Sequence, residues 1–123
     1  MTPKICMAIA AVLGATGVAL GAFGAHGLRS MADAKMLEIW ETAARYQQIH
    51  AVALLGVALW MERHPSGLAN ASAIAMAVGV LIFSGTLYVL VLTGMRWLGA
   101  ITPLGGTALI VAWVLLAVAA LKS

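Results

Sequence analysis

The sequence predicts an all-α integral membrane protein, an up-down bundle of four helices with an amphipathic N-terminal extension on the second. Three observations carry that expectation. Hydrophobic residues make up 63% of the chain and charged residues only 9%, and the mean hydropathy of +1.04 lies outside the range of a soluble domain. Four apolar runs approach or reach the roughly 20 residues that cross about 30 Å of hydrocarbon at about 1.5 Å per residue. The segments between them are short, so consecutive helices must reverse direction. One domain of 123 residues accommodates helices over 5–26, 31–62, 71–94 and 103–121.

Composition also excludes functions. A net charge of +3 with scattered basic residues gives no footprint for nucleic acid and implies at most membrane lipid as a partner. Cys6 is the single cysteine, so no disulfide forms within the chain, and an isolated thiol entering an apolar helix behaves as a small hydrophobe. The first apolar run exceeds a signal peptide's core of about 7 to 15 residues, and is expected to be retained as a helix.

In helix 1, Gly14, Gly17, Gly21 and Gly24 recur every three or four positions and form one stripe without side chains. Lipid supplies no hydrophobic force between helices, so close backbone approach must hold them together. The stripe therefore serves packing within the chain or a homo-oligomer seam through Gly17 and Gly21. Helix 2 is expected to start at Ser30, whose spacing to Asp33 is that of a capping box. Its first turns alternate Asp33, Lys35, Glu38 and Glu41 with Met36, Leu37 and Trp40, the pattern of an interfacial helix. Glu41 and Arg45 stand four apart with the acid first, the favourable order for an ion pair.

The stretch 40–50, WETAARYQQIH, concentrates polarity where the helix enters the apolar region. Tyr46, Gln47 and His50 share a face that must turn inward, because an amide and an imidazole facing lipid lack partners. Glu62-Arg63-His64-Pro65 ends helix 2, with His64 in solvent. In helix 3, Ser84 is expected to bond back to its own helix, and Gly85 follows it. Tyr88 is open to either an interfacial or an internal role. Arg96 reads as an interface anchor. Helix 4 opens with Thr102 as N-cap and Pro103 at N1, and Gly105 and Gly106 admit close backbone approach there. The rest of helix 4, Trp113 included, reads as apolar filler.

Alternating helix direction collects His26, Arg45, Tyr46, Gln47, His50, Tyr88 and Thr102 on one side of the membrane, near enough to touch, and leaves the other side dry. Basic residues balance between the two sides, with Arg29, Lys35, Arg45 and Arg96 against Lys4, Arg63, Lys122 and the amino terminus, so the positive-inside rule assigns no direction.

The motifs GAFGAHG, WETAxxYQxxH, FSGTLY and TPLGG together resemble a family of small bacterial membrane proteins of unknown function that includes YgdD and YwdK. The resemblance spans nearly the whole chain and implies four transmembrane helices in the bacterial inner membrane. It carries no substrate and no catalytic role.

Three functions compete on these residues. The cluster can be a structural and binding feature that fixes helix register around a lipid headgroup or small ligand, with Ser84 and Thr102 contributing hydroxyls. His26 and His50 can give two axial nitrogens to a haem, or hold a quinone with Tyr46 and Gln47. His50 with Arg45 and Glu41 can serve transport of protons, metal or a small solute. Neither histidine has a second ligand three or four residues away, so no metal site is expected. No serine stands in a nucleophile-elbow context, which disfavours an enzyme of the hydrolase type.

Overall fold

A computed structural model describes residues 1–123. It contains four α-helices, α1 (Pro3–His26), α2 (Ala34–Arg63), α3 (Gly67–Thr93) and α4 (Thr102–Lys122), with short 3-10 helices at Leu28–Ser30 and Arg96–Ala100. Three segments, Pro3–Ser30, Gly67–Thr93 and Arg96–Lys122, are long and apolar enough to cross a membrane.

Helix boundaries follow from local chemistry. Thr2 caps α1 by accepting from the Ile5 amide at 3.2 Å, and Pro3 needs no amide partner in the first turn. α1 stops at Gly27, whose φ of −77° is right-handed, so this glycine is not the left-handed cap its position suggests. The expected capping box at Ser30 does not form. Ser30 donates to the Gly27 carbonyl, and Asp33 caps α2 by accepting from the Met36 amide at 2.8 Å. A carboxylate is the stronger partner for the positive end of a helix. α3 begins earlier than its apolar run, because Ser66, just past Pro65, accepts from the Ala69 amide. It ends at Gly94, whose φ of +74° is the left-handed conformation glycine adopts without strain.

Sequential helices pack antiparallel, and individual contacts fix their registers. Between α1 and α2, Leu20 meets Trp40, Leu13 meets Gln47 and Cys6 meets Leu54. Between α2 and α3, Ala43 meets Ser84. Between α3 and α4, Ser72 meets Ala112 and Thr86 meets Thr102. All four helices contribute to one core around Cys6, Leu54, Val57, Met76, Val80 and Leu109. Outward positions such as Val12, Val52, Leu81 and Ile110 are apolar and exposed, as a lipid-facing surface requires.

The glycine stripe of α1 is used inside the chain. A Cβ on Gly17 would lie 3.0 Å from the Gln48 Cγ, one on Gly21 would lie 2.9 Å from its Nε2, and one on Gly24 would strike the Trp40 ring. α2 therefore occupies the face that a homo-oligomer through Gly17 and Gly21 would need. The backbones of α3 and α4 come close where Gly105 sits against Phe83 and Gly79.

Candidate functional site

The polar side chains form a network centred on Gln47, which is 3% exposed. Its Nε2 donates to the Leu13 carbonyl at 3.0 Å and to Thr16 Oγ1 at 2.7 Å, and its Oε1 accepts from the Tyr88 hydroxyl at 2.7 Å. One amide thus ties α1, α2 and α3 together with both its donors and an acceptor lone pair in use. Thr16 passes its own proton to the Val12 carbonyl at 2.8 Å. Beside it, Gln48 donates to the Gly17 carbonyl at 2.8 Å, and Trp40 donates its indole N–H to the Leu20 carbonyl at 2.7 Å. The Trp40 ring lies between Phe23 and Tyr88, with centroids at 5.6 and 4.7 Å. Removing the side chain at Gly24 is what admits this ring. No buried side-chain nitrogen or oxygen lacks a partner.

Ser84 differs from expectation. Its hydroxyl donates across to the Ala43 carbonyl of α2 at 2.7 Å instead of to its own helix. α2 and α3 come close there, at an alanine, so the neighbouring carbonyl lies within reach. Thr102 does not cap α4. Its hydroxyl lies 2.7 Å from that of Thr86 and 3.2 Å from the Leu98 carbonyl, a link between α3 and α4.

His50 occupies a separate place. Its Nε2 is 3.0 Å from the indole nitrogen of Trp113, and its Nδ1 is 2.8 Å from the Tyr46 carbonyl. An indole nitrogen only donates, so Nε2 must accept, and the Nδ1 proton must go to the carbonyl. Both ring nitrogens are thereby engaged. Tyr46 stacks on Phe83 at 4.5 Å and on His50 at 6.1 Å, and is 39% exposed. We expect ring-nitrogen NMR to show the Nδ1-protonated tautomer alone, and Trp113→Phe to shift the Nε2 resonance and cost about 1 kcal/mol. Protonation at Nε2 in the unaltered protein would contradict the Trp113 bond.

Two expected juxtapositions fail. His26 is exposed at the end of α1. Since Cys6 lies level with Leu54 and Leu13 with Gln47, His50 lies level with Ala10. The two histidines are therefore separated by about 24 Å along the helix axis at 1.5 Å per residue. They cannot ligate one haem or hold one quinone ring. The cause is the tight reversal after α1: the first turns of α2 double back along α1 instead of lying beyond it. The Glu41–Arg45 pair is absent as well: no salt bridge joins the two side chains, and both are exposed, so neither needs the other. Water and lipid headgroups solvate such groups at little cost. Glu41→Gln should accordingly change stability by less than about 0.5 kcal/mol in chemical denaturation. No group of three or more His, Cys, Asp or Glu side chains is placed to hold a metal.

A cleft of about 320 Å³ opens between α1 and α3, with Thr16, Gln47, Ser84, Gly85 and Tyr88 among its lining residues. It shares Val12, Leu13 and Leu81 with a wholly apolar trough of about 420 Å³ that is also lined by Ile5 and Ala77. A Cβ on Gly85 would meet nothing within 4 Å, so this glycine leaves the cleft open without serving helix packing.

The family model described as a protein of unknown function (DUF423) matches residues 20–106. The chain belongs to the DUF423 family. It is 40% identical over 121 residues to the UPF0382 membrane protein YwdK of Bacillus subtilis (strain 168), covering 97% of this chain and 98% of that one. It is 38% identical over 122 residues to the UPF0382 inner membrane protein YgdD of Escherichia coli (strain K12), covering 99% and 93%. It is 40% identical over 119 residues to the UPF0382 membrane protein SERP0230 of Staphylococcus epidermidis, covering 97% of each. No solved structure matches.

This DUF423 chain is thus a small multi-pass protein of the bacterial inner membrane, in a family without an assigned biochemical role. The span matched by the family model holds Trp40, Gln47, His50, Ser84, Tyr88 and Thr102, while Thr16 and Trp113 lie outside it. Those two were missed from the sequence, as were Gln48 and Thr86. A signal existed for Trp113. A tryptophan in mid-helix, away from the interfacial belts, must find an acceptor for its N–H, and an inward-facing histidine on another helix is the natural one. For Thr16 the signal is weaker: it is the one hydroxyl inside α1 and faces a buried amide.

Proposed function

We propose that the chain is an up-down bundle of four membrane-crossing helices, α2 included, whose α1–α3 cleft binds a molecule dissolved in the lipid phase. On this reading it is a binding protein without a catalytic centre of its own. α2 does not read as a span by hydropathy, because Arg45, Gln47, Gln48 and His50 interrupt its apolar run, yet its contacts with α1 run from Trp40 to Leu54. A helix paired along that length with a spanning neighbour, and burying Gln47 and His50, travels through the bilayer beside it. The Lys35, Glu38 and Glu41 end then lies toward the headgroups, and the exposed Arg45, one turn deeper, reaches back toward them along its aliphatic stem.

The observation that carries the binding role is how α1 and α3 meet. The polar bonds joining them run through Gln47, from Tyr88 on one side to Thr16 and Leu13 on the other, and the space beside that bridge stays open with Gly85 in its wall. The network sets the separation of the two walls, so its role in register and its role in binding are one. Transport finds less support. Beyond His50, the side-chain bonds between elements are Ser72 to Ala112, Cys6 to Leu54 and the Met1 amino group to Asn70, which make no continuous polar path.

Gly85→Trp tests the proposal by filling the cleft where nothing opposes a new side chain. Native mass spectrometry of the protein released from membranes should show a co-purifying lipid-phase molecule, lost in Gly85→Trp. Gly56→Trp, which likewise adds bulk to open space on α2, should keep it. Equal retention in both variants would end the proposal.

A further inference from the structure

We infer that the exposed charges on the first turns of α2 hold the headgroup of a phospholipid bearing a primary ammonium, with Arg45 on its phosphate and Glu38 and Glu41 on its ammonium. The inference takes from the reading above only the passage of α2 through the membrane. It is independent of the α1–α3 cleft.

The charges are ordered along the helix. At about 3.6 residues per turn, Arg45 falls between Glu38 and Glu41 around the axis, so the three share one face. At about 1.5 Å per residue, Glu41 stands about 6 Å and Glu38 about 10 Å nearer the start of α2 than Arg45 does. Past Arg45 the exposed positions include Ile49, Val52 and Leu59, and no Asp, Glu, Lys or Arg returns until Glu62. Side chains on a helix lean toward its N-terminus, so the guanidinium reaches back toward the headgroups and must find an anion there.

The chain does not supply that anion. Arg29, Glu38, Glu41 and Arg45 are all exposed, and none forms a salt bridge. The two carboxylates instead line a groove of about 380 Å³ between the end of α1 and the start of α2, where Gly24, Ala25 and Ala34 leave room. Arg29 is the one basic residue in its wall, so two carboxylates against one guanidinium leave the groove net negative. Lys35 does not line it, and the Asp33 carboxylate is engaged with the Met36 amide. The groove therefore takes a cation.

A deep site for an anion and an outer site for a cation reproduce the order of a phospholipid headgroup, whose phosphate lies nearest the hydrocarbon with any amine beyond it. A phosphoglycerol headgroup would satisfy Arg45 and leave the groove without its cation. A trimethylammonium has the charge but no N–H to give to carboxylates, which only accept. A primary ammonium has both.

The experiment places the full chain in nanodiscs of phosphatidylethanolamine, phosphatidylcholine and phosphatidylglycerol in equal amounts with matched acyl chains, and counts retained lipids by native mass spectrometry. Phosphatidylethanolamine should be retained about three- to tenfold over either competitor, the effect of a charge-assisted hydrogen bond discounted for exposure. Glu38→Gln with Glu41→Gln should erase that preference, and Glu41→Lys should turn it toward phosphatidylglycerol. Arg45→Gln should lower retention of all three, while Gly85→Trp should leave the preference unchanged. Excess water-soluble glycerophosphoethanolamine should not displace the lipid, and displacement would overturn the lipid as its source. Equal retention of the three lipids, or a preference that survives the double glutamine variant, overturns the headgroup site and leaves the α1–α3 cleft standing. Ile49→Cys checks the placement of α2, since it should resist a membrane-impermeant maleimide, with the buried Cys6 silent. Labelling at Ile49→Cys would overturn the passage of α2 through the membrane and this site with it.

Discussion

Gly105→Ala should destabilise the protein by about 3 kcal/mol, the upper end of what one inserted methyl costs in a packed interior. The added Cβ would strike the Phe83 amide nitrogen and lie 2.8 Å from its Cα and 2.9 Å from the Gly79 carbonyl oxygen. All three are backbone atoms of α3, so no rotamer change relieves the clash. The helices must separate, and separation forfeits the dispersion contacts that hold them in lipid. Neighbouring glycines provide the comparison. A Cβ on Gly106 would meet the Phe83 ring at 3.7 Å, an ordinary contact, and one on Gly85 would meet nothing within 4 Å. Gly106→Ala and Gly85→Ala should be neutral or stabilising by up to about 1 kcal/mol through helix propensity. Equilibrium unfolding in mixed micelles measures all three. A Gly105→Ala value near those of the other two would show that the α3–α4 crossing is looser than described.

This contrast bears on what could be read before any coordinates. Hydropathy located the helices because lipid imposes one requirement along a whole segment. The α1 stripe was legible because four glycines repeat at a helical period. The α3–α4 crossing was half legible: Gly105 and Gly106 stood out as a pair, but Gly79, on the other side of the contact, has no periodic partner to draw attention to it. Depth was the quantity misjudged. Counting from where charge ends set Arg45 at the membrane edge, whereas the turn sets Trp40 against Leu20, which carries Gln47 and His50 deeper and leaves His26 behind. Local caps were misassigned for a similar reason, since Ser30 and Asp33 both suit the position and only the path of the reversal selects between them. The polarity of 40–50 did identify Gln47 and His50 as inward residues, but their partners Thr16 and Trp113 are isolated in apolar helices, where a single residue leaves no pattern.

Gln47→Leu should cost about 2 kcal/mol, because three interhelical bonds are lost and each is worth about 0.6 kcal/mol in lipid. Leucine fills similar space, so the loss reports hydrogen bonding more than volume. The consequence is asymmetric. Thr16 keeps its bond to Val12 and α1 keeps Gln48 and Trp40 as anchors to α2, but the Tyr88 hydroxyl loses its acceptor in a half-buried position. A double-mutant cycle with Tyr88→Phe isolates that bond. Its coupling energy should fall between about 0.6 and 1.7 kcal/mol, the average and maximum for such pairs in a membrane protein. Thr16→Val in the same cycle should couple to Gln47 but not to Tyr88, since the two hydroxyls meet only through the amide. Coupling indistinguishable from zero for both pairs would mean that Gln47 does not bridge the helices, and the walls of the cleft would then be set by α2 packing alone. With the bridge in place, the position of α1 relative to α3 depends on one side chain, and substitutions at Gln47 should alter ligand retention in the cleft in proportion to the bonds they remove.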